Sequence, residues 1–132
     1  MGCKNKGFDK EVERTKKLED AFYKHSEACL NDMVMILYRQ SVKLTPVDSG
    51  NLRRNWHMLP VKRSRSNCSG GVCNICEYAP HVNYGHRIKV NGKYCGYVEG
   101  QYFQEHAREL VKSSFDERKR QLINDIKREV GR

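Results

Sequence analysis

Thr45-Pro46-Val47-Asp48-Ser49-Gly50-Asn51-Leu52-Arg53-Arg54-Asn55-Trp56 decides how this chain folds. Proline drives its predecessor out of the helical region, so Thr45-Pro46 ends whatever helix comes before it. Val47-Asp48-Ser49-Gly50 then supplies turn chemistry, because Asp and Ser side chains bond nearby backbone amides. From Leu52 the pattern shifts toward period two, with Leu52, Arg54, Trp56 and Met58 on one side. That predicts a strand carrying the single tryptophan and ending near Pro60 at a sheet edge.

Upstream, Phe8, Val12, Leu18, Phe22, Cys29, Met33, Ile36, Leu37 and Leu44 recur at helical spacing, with no Pro or Gly between Phe8 and Thr45. One long helix over 8–44 is expected. Downstream, Lys62 to Asn67 is a basic connector, Ser69-Gly70-Gly71 a turn, and Val72 to Glu77 the returning strand of a hairpin. Tyr78 to Tyr84 fits a strand or a short helix, closed by Gly85. Asn91-Gly92 between Ile88-Lys89-Val90 and Lys93-Tyr94-Cys95 predicts a tight hairpin with both turn residues at positive φ. After Gly100, Phe103, Ala107, Leu110, Val111, Phe115, Leu122, Ile126 and Val130 predict a second long helix. The expected architecture is α+β: a long N-terminal helix and a C-terminal helix packed on a small, mainly antiparallel β-sheet. It forms one domain over 1–132, with 1–7 disordered and 61–71 and 86–100 as flexible loops or hairpins.

The core is lean, since 38% of the 132 residues are hydrophobic against 31% charged. Such a core suits a protein completed by its neighbours in an assembly. The net charge is +9, and it is unevenly spread. Residues 1–44 hold 9 Lys/Arg against 7 Asp/Glu and 101–132 hold 8 against 6, whereas 45–100 hold 8 against 3. A basic middle between near-balanced ends suits phosphate or an acidic partner, and it also serves solubility. No apolar run approaches the ~20 residues that span a bilayer, and no signal-peptide core follows Met1. Met1-Gly2 invites myristoylation, but Lys6 stands where that motif needs Ser or Thr. The expectation is a chain made in, and staying in, a cytosol.

Six cysteines raise two metal readings. Cys68-x4-Cys73-x2-Cys76 has a plant-type iron–sulfur spacing, but its fourth cysteine follows too soon. Cys73-x2-Cys76 is half of a zinc site, with Cys68, Cys95, His81 and His86 as partners, yet the usual second pair is missing. Alternation would also point Cys73 and Cys76 to opposite faces of a strand. Reduced thiols and no cofactor or metal are expected. No nucleophile–base pair, phosphate loop or paired carboxylates appear, so no catalytic residue is assigned. His57, His81 and His86 fall in the middle segment, and His86-Arg87 beside tyrosines could cut RNA as small basic ribonuclease toxins do, but nothing in the sequence fixes their mutual geometry. Lys62, Arg63, Arg65, Arg87, Lys89 and Lys93 could line one end of the sheet, with Tyr94, Tyr97 and Tyr102 near enough to stack on bases. A basic nucleic-acid-binding or ribonuclease-like module is therefore the alternative reading, and a zinc-stabilised domain the third.

Three blocks lead elsewhere. Thr45 to Arg54 resembles the "(A/T)PvdtGnLr" signature of the tailed-phage head–tail joining, or tail-completion (neck), family of gene-ten-like minor tail components. Tyr78-Ala79-Pro80-His81-Val82-Asn83-Tyr84-Gly85-His86-Arg87 is similar to its second block, "YAxyVnyGhr". Gly96-Tyr97-Val98-Glu99-Gly100-Gln101-Tyr102-Phe103 is similar to its third. The chain departs from the family in the loop cysteines and in a longer loop at 88–93. The resemblance implies a virion structural protein of neck or tail with no enzymatic activity. Its copies would form a ring, docking on head-connector and tail-terminator or tail-tube proteins, with non-specific contact to genomic DNA in the channel and none to membrane. Carried onto this sequence, the motif and turn residues are Pro46, Asp48, Gly50, Leu52, Trp56, Tyr78, Tyr84, Gly85 and Gly100. Trp56, Tyr84 and Phe103 are expected in the core. Arg53 and Arg54 are expected as contacts, because neighbouring strand residues face opposite ways, together with Lys62, Arg63, Arg65, Arg87, Lys89 and Lys93.

Overall fold

The computed structural model describes residues 6–65 and 67–131. The chain runs α1 (Lys6–Leu44), α2 (Asn51–Arg54), β1 (Trp56–Arg63), β2 (Cys68–Asn74), α3 (Ala79–Tyr84), β3 (Gly85–Val90), β4 (Lys93–Glu99), α4 (Phe103–Ser113) and α5 (Phe115–Val130). The α+β class is the one expected. The disordered lead expected over 1–7 falls, for residues 1–5, outside the described residues; Lys6 and Gly7 belong to α1.

Several local expectations are corrected. Leu52, Arg53 and Arg54 form a helical turn rather than the start of a strand, because Gly50 at φ 79° turns the chain and its carbonyl accepts from the Arg54 amide. β1 starts at Trp56 and runs through Pro60. The register shifts between Leu59 and Lys62, which excuses proline from the ladder. Ser69-Gly70-Gly71 lies inside β2 rather than at the turn, and between the strands the Ser64 amide donates to the Asn67 carbonyl. Gly70 has a packing reason: a Cβ there would lie 3.1 Å from the Val34 side chain, so glycine lets the hairpin close on α1.

The single small sheet is instead two separate antiparallel hairpins, β1–β2 and β3–β4. Each ladder runs only between its own two strands, and α3 redirects the chain between them. The Asn91-Gly92 turn has φ 49° and 80°, as that dipeptide predicts. The second long helix is two helices. At Ser113-Ser114 the hydroxyls bond the Leu110 and Val111 carbonyls, competing with the helical ladder.

The core gathers where these elements cross. Leu52, Trp56 and Phe103 are buried together, with Tyr38, Val42, Val72 and Val82 packed around them. The Trp56 and Phe103 rings meet edge to face at 6.1 Å, an arrangement that adds about 0.5–1.5 kcal/mol to area burial. Tyr84 is not in this core. It is 49% exposed, its ring edge-on to Tyr102.

α1 packs against both strands of the first hairpin and against α4 and α5. α5 runs antiparallel to it, with Arg118 beside Asp32 and Glu129 beside Lys24 and His25. Residues 8–20 of α1 are exposed throughout.

Candidate functional site

The three sequence blocks converge at the C-terminal end of α1. Thr45 is buried, and its hydroxyl accepts from the Trp56 indole N–H at 2.7 Å while donating to the Ser41 carbonyl. The strand with the tryptophan is thereby tied to the last turn of the helix. Arg53 donates to the Thr45 carbonyl at 3.1 Å and the Lys43 carbonyl at 3.4 Å, supplying a cation and donors to carbonyls that a helix end leaves unpaired. Asn51 donates to the Tyr78 hydroxyl at 2.9 Å, linking the first block to the second.

Asn83 links the second block to the third. It is buried, its carbonyl accepts from the Tyr102 amide, and its Oδ1 accepts from the Gln104 amide. Tyr102, the residue preceding α4, makes no side-chain cap, so Asn83 caps that helix from across the fold. Its amide also donates to Glu105 at 2.8 Å. Burial opposes ionisation of Glu105, but bonds from Asn83, its own backbone and Tyr84, with the Arg108 charge, outweigh it. The carboxyl is held below the usual range.

Gly85 and Gly100 meet back to back. A Cβ on Gly85 would lie 2.5 Å from the Val98 carbonyl oxygen, and one on Gly100 2.4 Å from that of Asn83. Only glycine permits this approach of backbone to backbone. The Tyr97 hydroxyl closes the junction, donating to the Tyr84 carbonyl at 3.0 Å.

Between the blocks lies an open groove of about 460 Å³, walled by Pro46, Val47, Leu52, Tyr78, Val82 and Gln101. Asp48, Ser49 and Gly50 form its rim. Asp48 and Tyr78 are its only ionisable side chains among the described residues, so the groove suits docking by shape better than acid–base chemistry.

The basic residues fall in two groups, not along one end of one sheet, because the hairpins are separate. Lys62, Arg63 and Arg65 belong to the first. There the Arg63 guanidinium sits 3.9 Å above the Tyr23 ring, and the Tyr23 hydroxyl donates to the Arg65 carbonyl, pinning the hairpin tip to α1. Arg87, Lys89 and Lys93 belong to the second, with the Arg87 and Lys89 cations 5.5 and 5.7 Å from the Tyr94 ring. Arg54 lies over Gly50. Both Arg53 and Arg54 sit on a helical turn, which removes the strand-alternation argument for them.

His81 and His86 meet edge to face at 5.6 Å, while His57 lies on β1 in the other hairpin. Cys29, Cys68, Cys73, Cys76 and Cys95 are free thiols, and Cys76 contacts the Asn51 amide at 3.5 Å. Among the described residues, no three of His, Cys, Asp and Glu are grouped to hold a metal ion, and no helix is long and apolar enough to cross a membrane.

Residues 9–85 match the family described as "Bacteriophage HK97-gp10, putative tail-component", more than half of the chain. The chain belongs to the HK97-gp10-like family. The match spans the first block and ends at Gly85, so it contains both sides of the Asn51–Tyr78 bond. Neither curated proteins nor solved structures provide a match. The side chains that knit the HK97-gp10-like junction, the buried Thr45 and Asn83 and the exposed Asn51, escape a hydropathy reading because they are polar and act through hydrogen bonds. Their signal is their presence inside the blocks themselves.

Proposed function

We propose that this HK97-gp10-like protein is a structural component of a tailed-phage virion. It forms a ring in the neck, completes the tail, and joins it to the head connector by shape alone. The family match over 9–85 carries this reading. The lean core and the groove between the blocks support it, since both fit a protein completed by partners. The partners are further copies of the chain, head-connector proteins, and tail-terminator or tail-tube proteins. Arg53 and Arg54, beside the groove, are the proposed contacts for them.

A phage carrying a stop codon in this gene tests the role. Its lysates should contain filled heads and free tails, and purified protein added to them should restore joined, infectious particles. Joined particles formed without the protein would refute the proposal.

One observation favours an accompanying contact with DNA. The exposed β3–β4 hairpin carries Arg87, Lys89 and Lys93 around an exposed Tyr94, and nothing there reads base edges. Binding would be to backbone and strongly salt-dependent. Replacing all three cations by alanine should weaken duplex binding equally for unrelated sequences, and should reduce the log–log salt slope by about 2–3. An unchanged slope would remove DNA from the partners.

A further inference from the structure

We propose that α5 is a latch, which swings away from α1 about the Ser113-Ser114 break while the rest of the body stays folded. The inference goes beyond the neck role and does not depend on it. α4 and α5 follow one another but are held in different ways. α4 buries Phe103, Ala107 and Val111, and Phe103 belongs to the core with Trp56. α5 buries none of its 16 residues, and Leu122, Ile126 and Val130 are only half-buried. Packing an apolar face supplies most of a helix's stability in a protein, so α4 is anchored and α5 is not.

What holds α5 is largely charge. Arg118, Leu122, Asp125 and Glu129 recur at spacings of four, three and four, and His25, Cys29 and Asp32 recur at four and three on α1. Such spacing sets each group along one seam of its helix, and a stable pair fills that seam with apolar side chains. Here Leu122 is the one aliphatic side chain in either set. Arg118 meets Asp32 at 3.5 Å, Lys24 meets Glu129 at 3.5 Å, and His25 bonds Glu129. Asp125 and Arg128 lie beside His25 and Glu129. Asp32 and Lys24 are 66% and 70% exposed, and ion pairs so exposed contribute little and are screened by salt. A cleft of about 70 Å³, walled by His25, Cys29, Asp32, Arg118, Leu122 and Asp125, keeps the helices from interdigitating there.

The break between α4 and α5 supplies the hinge. The Ser113 and Ser114 hydroxyls donate to the Leu110 and Val111 carbonyls, and the Ser114 amide also donates to Val111, three residues back instead of four. The helical ladder is interrupted there, so a few torsions at this point move α5 as a body. Opening uncovers the strip of α1 from His25 to Asp32, and with it the Cys29 thiol. In the closed state burial, helped by Asp32, pushes that thiol up against the pull of Arg118, which keeps it unreactive.

Cys29 therefore reports the latch in the full chain. Labelling by N-ethylmaleimide, read at Cys29 by peptide mass spectrometry, is compared from about 50 mM to about 1 M salt. Cys29 should label at least about threefold faster at the high end, with Trp56 emission unchanged. Glu129→Gln, which removes the tie to Lys24 and His25, should raise Cys29 labelling at low salt in the same direction. Hydrogen exchange of the unlabelled wild type reads the hinge independently: amides of 115–130 should exchange at least about tenfold faster than those of 103–113. If α4 and α5 exchange at one rate, or Cys29 labels no faster in salt or in Glu129→Gln, α5 is part of the body and the proposal fails. Labelling that rises only together with a shift in Trp56 emission overturns it as well, because the whole chain is then unfolding.

Discussion

The indole N–H of Trp56 has one partner, the Thr45 hydroxyl, and both groups are buried. Thr45→Val keeps the shape and leaves that N–H unpaired in the core, so denaturant unfolding should show a loss of about 1–3 kcal/mol. Ser41, one turn earlier, behaves oppositely. Its carbonyl is used twice by Thr45, but its buried hydroxyl finds no partner among the described residues. Ser41→Ala should therefore be neutral or stabilise by up to about 1 kcal/mol in the same assay. Two glycines with nearly equal φ form a sharper pair. Gly92 at φ 80° has open space around it, whereas Gly85 at φ 88° is pressed against backbone. Gly92→Ala should cost about 1 kcal/mol, the price of a left-handed alanine alone. Gly85→Ala should cost at least about 2–3 kcal/mol more, since backbone must move; equal costs would mean that the junction is looser than described.

At the scale of elements, α3 and α4 are coupled by Asn83 and Glu105. The Glu105 carboxyl has a lower pKa folded than unfolded, so its contribution is full above the ordinary carboxylate range. It is lost as the pH falls through the folded value. Glu105→Gln should then lower stability by roughly 0.5–1 kcal/mol near neutral pH and make no difference in strong acid, as melts at both pH values would show. A penalty that persists in acid would assign the effect to shape rather than charge. Elements also divide what the sequence discloses. α1 and the β3–β4 turn were legible because a long Pro- and Gly-free period and an Asn-Gly pair each admit one local solution. The 51–54 turn was not, because Leu52 and Trp56 suit a strand's alternation and a helical turn equally. Only Gly50's left-handed φ and the core under Leu52 decide between them. The α4–α5 break was hidden because two serines interrupt an apolar period without erasing it.

For the whole molecule, the sequence blocks told the family, and the fold adds why they occur together: each ties its neighbour through a hydrogen bond or a backbone contact. Tyr84 illustrates what blocks alone cannot say, since a residue within a signature can lie outside the core, half-exposed beside Tyr102. The distribution of exposed surface belongs to this scale too. The exposed first turns of α1, a groove at its other end and a basic hairpin surround a small core. The most direct measurement is cryo-electron microscopy of the purified chain mixed with the head-connector and tail proteins of its own phage. The account predicts a closed ring of this chain seated between them. A connector bound directly to the tail, with this protein outside the complex, would contradict it.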